Sequence, residues 1–160
     1  LYAHQAQAID RLRSTRPGGP ASTLVLSGTG SGKTESFLIP IVDACLRDPS
    51  DGVKAVVIYP MNALANDQLK RLTGLLAGTS VTFGRYTGDA PETDAGGSRQ
   101  QPRPADAPDN LIWSRQAMRE TPPQVLITNY LQLELLLLRG RGLRLEQVVA
   151  ELEGRHRPRG

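Results

Sequence analysis

The residue types best suited to chemistry lie in one run, SGTGSGKT at 27–34. A glycine-rich turn closed by Lys and Ser/Thr is built to hold phosphate. Gly30 and Gly32 let backbone N–H groups converge on phosphate oxygens with no Cβ in the way. Thr29 before Gly30 and Ser31 between the two glycines complete the loop. Lys33 is expected to reach the β and γ phosphates of a nucleotide, and the Thr34 hydroxyl to hold Mg²⁺. Both are therefore the candidate catalytic groups. The common pattern has a glycine where Ser27 stands here, so the motif is a variant.

Such a loop needs a strand before it and a helix after it. STLVLS (22–27) is a short apolar run between turn residues and reads as a buried strand. TESFLIPIVDACLR puts Phe37, Leu38, Ile41, Val42 and Cys45 on one face, as a helix does. Pro40 is expected to bend it. Upstream, Ala3, Ala6, Ile9 and Leu12 recur at helical spacing, and RPGGP (16–20) ends that helix. Further strands are expected at 53–59, 80–86 and 125–128. Further helices are expected at 62–76, with Leu64, Leu69, Leu72 and Leu76 on one side, at 111–120, and at 130–139. Short apolar strands alternating with helices point to an α/β fold with a parallel sheet covered on both faces. The segment 89–110 interrupts the order with Gly, Pro and little apolar bulk. It reads as a flexible surface insertion.

The chain has 160 residues, 39% hydrophobic and 22% charged, which suits one soluble globular domain. No apolar run approaches the roughly 20 residues of a membrane span. Cys45 is the single cysteine, so an internal disulfide is impossible, and a reducing cytoplasmic setting fits. Net charge is +3, and sixteen of the nineteen basic residues are arginine. Six of these fall in 139–160, which suits a nucleic-acid partner or a solvated basic tail. The first residue is Leu1, which suggests a fragment.

With these motifs in order, the chain resembles the DEAD/DEAH-box helicases of superfamily 2 over residues 2–139. SGTGSGKT looks like their motif I. Gln5, in LYAHQAQAI, looks like the glutamine of their Q motif, which reads adenine; a carboxamide both donates and accepts, as adenine N6 and N7 require. YPMNALANDQ (59–68) resembles motif Ia, whose loop and helix start lie on the nucleic-acid backbone. This makes Pro60, Asn62 and Ala63 candidate contacts, with Asn62 also placed to cap the helix. GRYTGD (84–89) resembles the next turn of the family, where Gly88 lets the main chain approach. PPQVLITNY (122–130) resembles motif Ib, placing Thr128 and Asn129 where the family touches phosphates; Thr128 equally suits a strand-end cap. The resemblance implies a P-loop NTPase of RecA-like fold, here an incomplete first lobe over 1–139, with a helix and basic tail over 140–160. It implies ATP and Mg²⁺ as cofactors, DNA or RNA held by sequence-independent backbone contacts, and a second RecA-like lobe in the parent protein. One phosphate-tracking face is expected at the C-terminal ends of the strands, beside the nucleotide site.

The family's Asp-Glu-x-His run is absent. The nearest text, VVAELEG (148–154), has Leu145, Val148, Val149 and Leu152 at helical spacing, so Glu151 and Glu153 are poor substitutes. The leading expectation is the ATP-binding part of a helicase or translocase. A truncated or degenerate module that binds without catalysis is the second, and a different P-loop enzyme such as a small kinase the third.

Overall fold

The computed structural model describes residues 2–139, apart from Ser14, Thr29 and 97–101. The expected helix and basic tail over 140–160 lie outside the described residues. The chain divides into two compact units after Asp48.

The first unit holds two helices. Helix α1 spans Ala3–Leu12 and α2 spans Lys33–Arg47. They pack together, burying Ala8 of α1 and Leu38 and Cys45 of α2. Helix α2 runs on through Pro40, which is buried. The expected strand over 22–27 is not found: this segment joins no strand ladder among the described residues. Leu24 and Leu26 are 82% and 81% exposed. A short apolar run reads as a buried strand only where a neighbour pairs with it, and local sequence does not supply that neighbour.

The second unit is a four-stranded, fully parallel sheet in the order β1-β4-β2-β3. Strand β1 is Ala55–Tyr59, β2 Phe83–Tyr86, β3 Leu111–Ile112 and β4 Val125–Asn129. All five residues of β4 are buried, as expected of a central strand in a sheet covered on both faces. Helix α3, Asn62–Leu76, has the bounds expected from its sequence. Its buried side is Ala65, Leu69, Leu72 and Leu76; Leu64, expected there, is 40% exposed. Helix α4 is Arg115–Glu120 and α5 is Tyr130–Arg139.

Register shows which helix covers which face. Val56, Leu126 and Gly84 lie side by side, as do Ile58, Thr128 and Tyr86. Alternation puts all six on one face, where Leu126, Val56 and Tyr86 pack with Met118 of α4 and with Leu133 and Leu136 of α5. The other face carries Arg85 and Leu111, which share a cavity with Asn66, Leu69 and Thr73 of α3. Helices therefore cover both faces.

The run 111–120 is not one helix as expected. Leu111 and Ile112 pair with Phe83 and Gly84, and Ser114 then caps α4 by accepting from the Ala117 N–H (3.3 Å). In the segment 89–110, Asn110 Nδ2 donates to the carbonyls of Leu76 (2.8 Å) and Val81 (2.9 Å), and Ala90 is buried. Glu92 pairs with Arg119 and Arg115. The hydrogen bond from Arg119 is the largest of the effects that hold its carboxyl below the usual range. No helix among the described residues is long and apolar enough to cross a membrane.

Gly84 is the glycine that packing demands. A Cβ there would lie 2.7 Å from the Ile112 carbonyl oxygen and 2.8 Å from Met118 Sδ. The carbonyl belongs to the β3 ladder and has little freedom to move. Gly84→Ala is expected to destabilise the fold by about 1–3 kcal/mol, the usual cost of overpacking. A urea midpoint unchanged from the parent chain would overturn this.

Candidate nucleotide and nucleic-acid sites

The phosphate loop lies in the first unit. Gly30 and Gly32 both have φ of 74°, a left-handed conformation that L side chains rarely adopt. Gly32 is also the N-cap residue of α2, so the loop delivers its backbone to a helix N-terminus, where anions are favoured. Lys33 opens the helix. Its ammonium donates to the carbonyls of Ser27 (2.8 Å) and Gly28 (2.5 Å). Ser31 Oγ donates to the Gly28 carbonyl (2.7 Å) and lies 2.6 Å from Ser27 Oγ. The serine that replaces the usual glycine thus joins a hydroxyl pair across the loop. Thr29 lies outside the described residues.

Helix α1 is fastened to this loop. Gln5 is 6% exposed. Its Nε2 donates to the Gly32 carbonyl (2.9 Å), and its Oε1 accepts from the Tyr2 N–H (2.8 Å). A Cβ on Gly32 would stand 2.3 Å from Gln5 Nε2; that amide is the tip of a flexible side chain and can shift, so it is the positive φ that calls for glycine there. His4 Nε2 lies 3.0 Å from the Ser31 carbonyl; a carbonyl only accepts, so this nitrogen carries the proton. His4, whose ring stacks on that of Tyr2 at 5.8 Å, was not legible as a partner of the loop, because pairing across 27 residues leaves no local signal.

Thr34 is half-buried in the first turn of α2. Its hydroxyl is a hard oxygen donor of the kind Mg²⁺ takes. One such donor suits an ion that keeps several waters and binds through nucleotide phosphates. Among the described residues no group of three or more His, Cys, Asp or Glu side chains could hold a metal.

The other predicted residues lie in the second unit, at the C-terminal ends of β1, β2 and β4. Asn129 Nδ2 donates to Asn62 Oδ1 (2.5 Å), joining the start of α3 to the end of β4. Asn129 Oδ1 accepts from the Gln132 N–H (2.7 Å) and so caps the first turn of α5. Asn62 is not the cap of α3. It is the first helical residue, Met61 takes the N-cap position, and no side-chain cap bond is made. The first-turn N–H groups of α3 therefore have no side-chain cap, beside exposed Pro60 and Ala63.

Thr128 is fully buried, and its hydroxyl donates to the Tyr86 carbonyl (2.7 Å). It ties β4 to β2 and faces no solvent. Gly88 is exposed. A Cβ on it would meet only Gln132 Oε1, at 3.7 Å, so no close approach requires glycine there. What shapes its turn was missed in the sequence. Arg85 Nη1 donates to Thr87 Oγ1 (2.7 Å) and to Asp89 Oδ1 (2.9 Å), and Thr87 Oγ1 donates to the same carboxylate (2.7 Å). Partial burial would raise the Asp89 carboxyl, but these hydrogen bonds and the Arg85 charge outweigh it and hold it below the usual range. An Arg four residues before an Asp across a Thr-Gly turn was the available signal.

Comparison with known proteins bears on the family. The sequence profile of the DEAD/DEAH box helicase family matches residues 2–148. The chain is 39% identical over 120 residues to Druantia protein DruE of Escherichia coli, covering 62% of this chain and 6% of that protein. It is 35% identical over 119 residues to the Lhr helicase/probable uracil glycosylase of Mycolicibacterium smegmatis, covering 72% of this chain and 7% of the relative. It is 40% identical over 63 residues to the ATP-dependent RNA helicase rok1 of Aspergillus oryzae, covering 36% and 9%. The chain thus spans less than a tenth of the length of each of these three relatives. No solved structure matches it. With its motif I loop before a helix, its parallel α/β sheet and a family match over nearly its whole length, the chain belongs to the DEAD/DEAH box helicase family.

Proposed function

We propose that this chain supplies the ATP-binding loop and the strand-tracking turns of an ATP-dependent helicase or translocase acting on DNA or RNA, and that a second RecA-like lobe completes the motor. The observation that carries the nucleotide half is the loop itself: two left-handed glycines lead into α2, with Lys33 as its first residue. Gly30, Ser31, Gly32 and Lys33 hold the phosphates, and Thr34 holds Mg²⁺; Thr29 is assigned with them from its place in the motif. When bound, the metal would neutralise charge on the nucleotide phosphates.

The nucleic-acid half rests on the turns at 60–63 and 88 and on Asn129. Pro60, Asn62, Ala63 and Gly88 offer backbone and short polar groups to phosphates. Thr128 and Asn129 fix the end of β4 beneath them. Phosphate contacts carry no base sequence, so binding is sequence-independent and weakens with salt. The names of the relatives, among them an RNA helicase, favour a nucleic-acid substrate without choosing DNA over RNA. A reducing cytoplasm is the proposed setting, in keeping with a single, buried cysteine.

Gln5 tests the choice of base. Its bonds to Gly32 and Tyr2 leave one N–H and one lone pair of the carboxamide for adenine. ATP is expected to outcompete GTP for the chain, and Gln5→Ala to erase the difference and weaken both. Competition titration against a labelled nucleotide reads this. If GTP already binds the unmutated chain as well as ATP does, Gln5 only positions the loop and the adenine assignment falls.

A further inference from the structure

A cavity of about 500 Å³ opens beside α3, within the second unit; Asn66 from the run 59–68 and Arg85 from the turn 84–89 contribute to its lining. This volume suits one small planar group. Leu69 and Leu111, both buried, form its apolar base, and half-buried Trp113 contributes an aromatic ring. The rim is polar: Asn66, exposed Lys70 and exposed Asp106. Arg85 also lines it, but its guanidinium is already committed to Thr87 and Asp89. Among the described residues that line the cavity, Lys70 is thus the cation available at the mouth.

The position of the cavity selects its occupant. Asn62, Asn66 and Lys70 follow one another at helical spacing down one side of α3. Asn62 is bonded to Asn129 at the edge proposed to track the nucleic-acid backbone. From Asn62 to Lys70 is about 12 Å along the helix. A strand lying on the first turn of α3 therefore passes the mouth within a nucleotide or two. An aromatic ring in an apolar recess with a cation at its rim is what an unpaired base and its own phosphate require.

We propose that this cavity is a base-capture pocket. One unpaired base of the bound strand leaves the stack and enters it against Trp113. Lys70 takes the adjoining phosphate, and Asn66 and Asp106 meet the polar edge of the base. The proposal rests on the nucleic-acid reading above and adds a ligand-binding pocket to it. It also makes the pocket selective for single strands, since a paired base cannot enter.

Trp113 is the only tryptophan of the chain, so its emission reports the pocket directly. The full 160-residue chain is titrated with an end-labelled single-stranded oligodeoxynucleotide, following label anisotropy for binding and tryptophan emission for stacking. A sugar-phosphate oligomer of equal length without bases, and a free nucleoside monophosphate, are run beside it. The intact strand is expected to raise anisotropy and quench Trp113; the oligomer without bases is expected to raise anisotropy without quenching. Trp113→Ala is expected to weaken the intact strand about 5- to 150-fold, with Trp113→Phe largely restoring it. Lys70→Ala, at an exposed site with no packing role, is expected to weaken the intact strand with its circular dichroism unchanged. An anisotropy rise with unquenched emission, and equal affinity in the Trp113→Ala and Lys70→Ala chains, overturns the pocket and leaves the tracking edge standing. Quenching by the free monophosphate as strong as by the strand, at equal base concentration, overturns the strand assignment. No anisotropy change with any oligomer overturns the nucleic-acid reading and the pocket with it.

Discussion

Lys33→Ala is expected to lower ATP affinity by roughly 10- to 150-fold, the 1.5–3 kcal/mol of a hydrogen bond to a charged group. The ammonium rests on two neutral acceptors, the carbonyls of Ser27 and Gly28. Phosphate oxygens are stronger acceptors because they are charged, so the move from carbonyl to phosphate is favourable. Alanine loses that gain. It also removes the ammonium's ties to Ser27 and Gly28, leaving Ser31 Oγ, bonded to the Gly28 carbonyl and paired with Ser27 Oγ, to link the loop. Both effects weaken binding. Lys33→Arg does not restore it, because the planar guanidinium cannot replace a compact ammonium at a site shaped around a point charge. Calorimetric titration of ATP into the parent and variant chains reads the difference. Equal affinities would show that the loop does not cradle phosphate.

Signals carried by nearby residues were the ones legible in the sequence. The phosphate loop is contiguous, and Gly30 and Gly32, singled out for their missing Cβ, both adopt the left-handed conformation. Helix α3 was legible to the residue because its apolar period is strong and Pro60 precedes it. The all-apolar run of β4 announced a strand buried on both faces. Contacts between distant residues left no such trace. Asn62 looked like a helix cap, yet its side chain meets Asn129, 67 residues away. Leu64 looked buried, yet the helix is rotated so that the smaller Ala65 faces the sheet and lets the backbone approach. Thr128 read as a phosphate ligand or a strand-end cap; its hydroxyl instead bonds Tyr86 of the neighbouring strand. Which strand is its neighbour depends on sheet order, and order is set by packing across the whole unit. The same holds for Gly84, whose need for glycine comes from Ile112 and Met118. The pocket around Trp113 needs residues from α3, β2 and the segment after it at once, and was invisible for that reason.

The purified 160-residue chain is expected to bind ATP yet release phosphate near the background rate, with or without single-stranded nucleic acid. Three parts of a phosphoryl-transfer site must meet at the γ-phosphate: the metal, a group that orients the attacking water, and an arginine that stabilises the transition-state charge. Thr34 provides one oxygen for the metal. Asp-Glu-x-His does not occur in the sequence, and among the described residues no acidic cluster stands in for it. Glu151 and Glu153 lie outside the described residues, and the apolar residues around them, Leu145, Val148, Val149 and Leu152, recur at helical spacing, which is not the pattern of a buried strand. The arginine contribution is the largest of the three, at about 10³–10⁵ in rate. In the proposed motor it comes from the second lobe. The basic stretch EGRHRPRG (153–160) holds arginines, but it lies outside the described residues. Binding and turnover should therefore separate in this chain: a measurable ATP affinity that Lys33→Ala weakens, beside phosphate release that Lys33→Ala leaves unchanged. Steady-state phosphate release with saturating single-stranded DNA, then RNA, is the measurement. Stimulated turnover that disappears in Lys33→Ala would mean that this chain orients water and metal with residues of its own, and Glu151 and Glu153 would then be the first to replace.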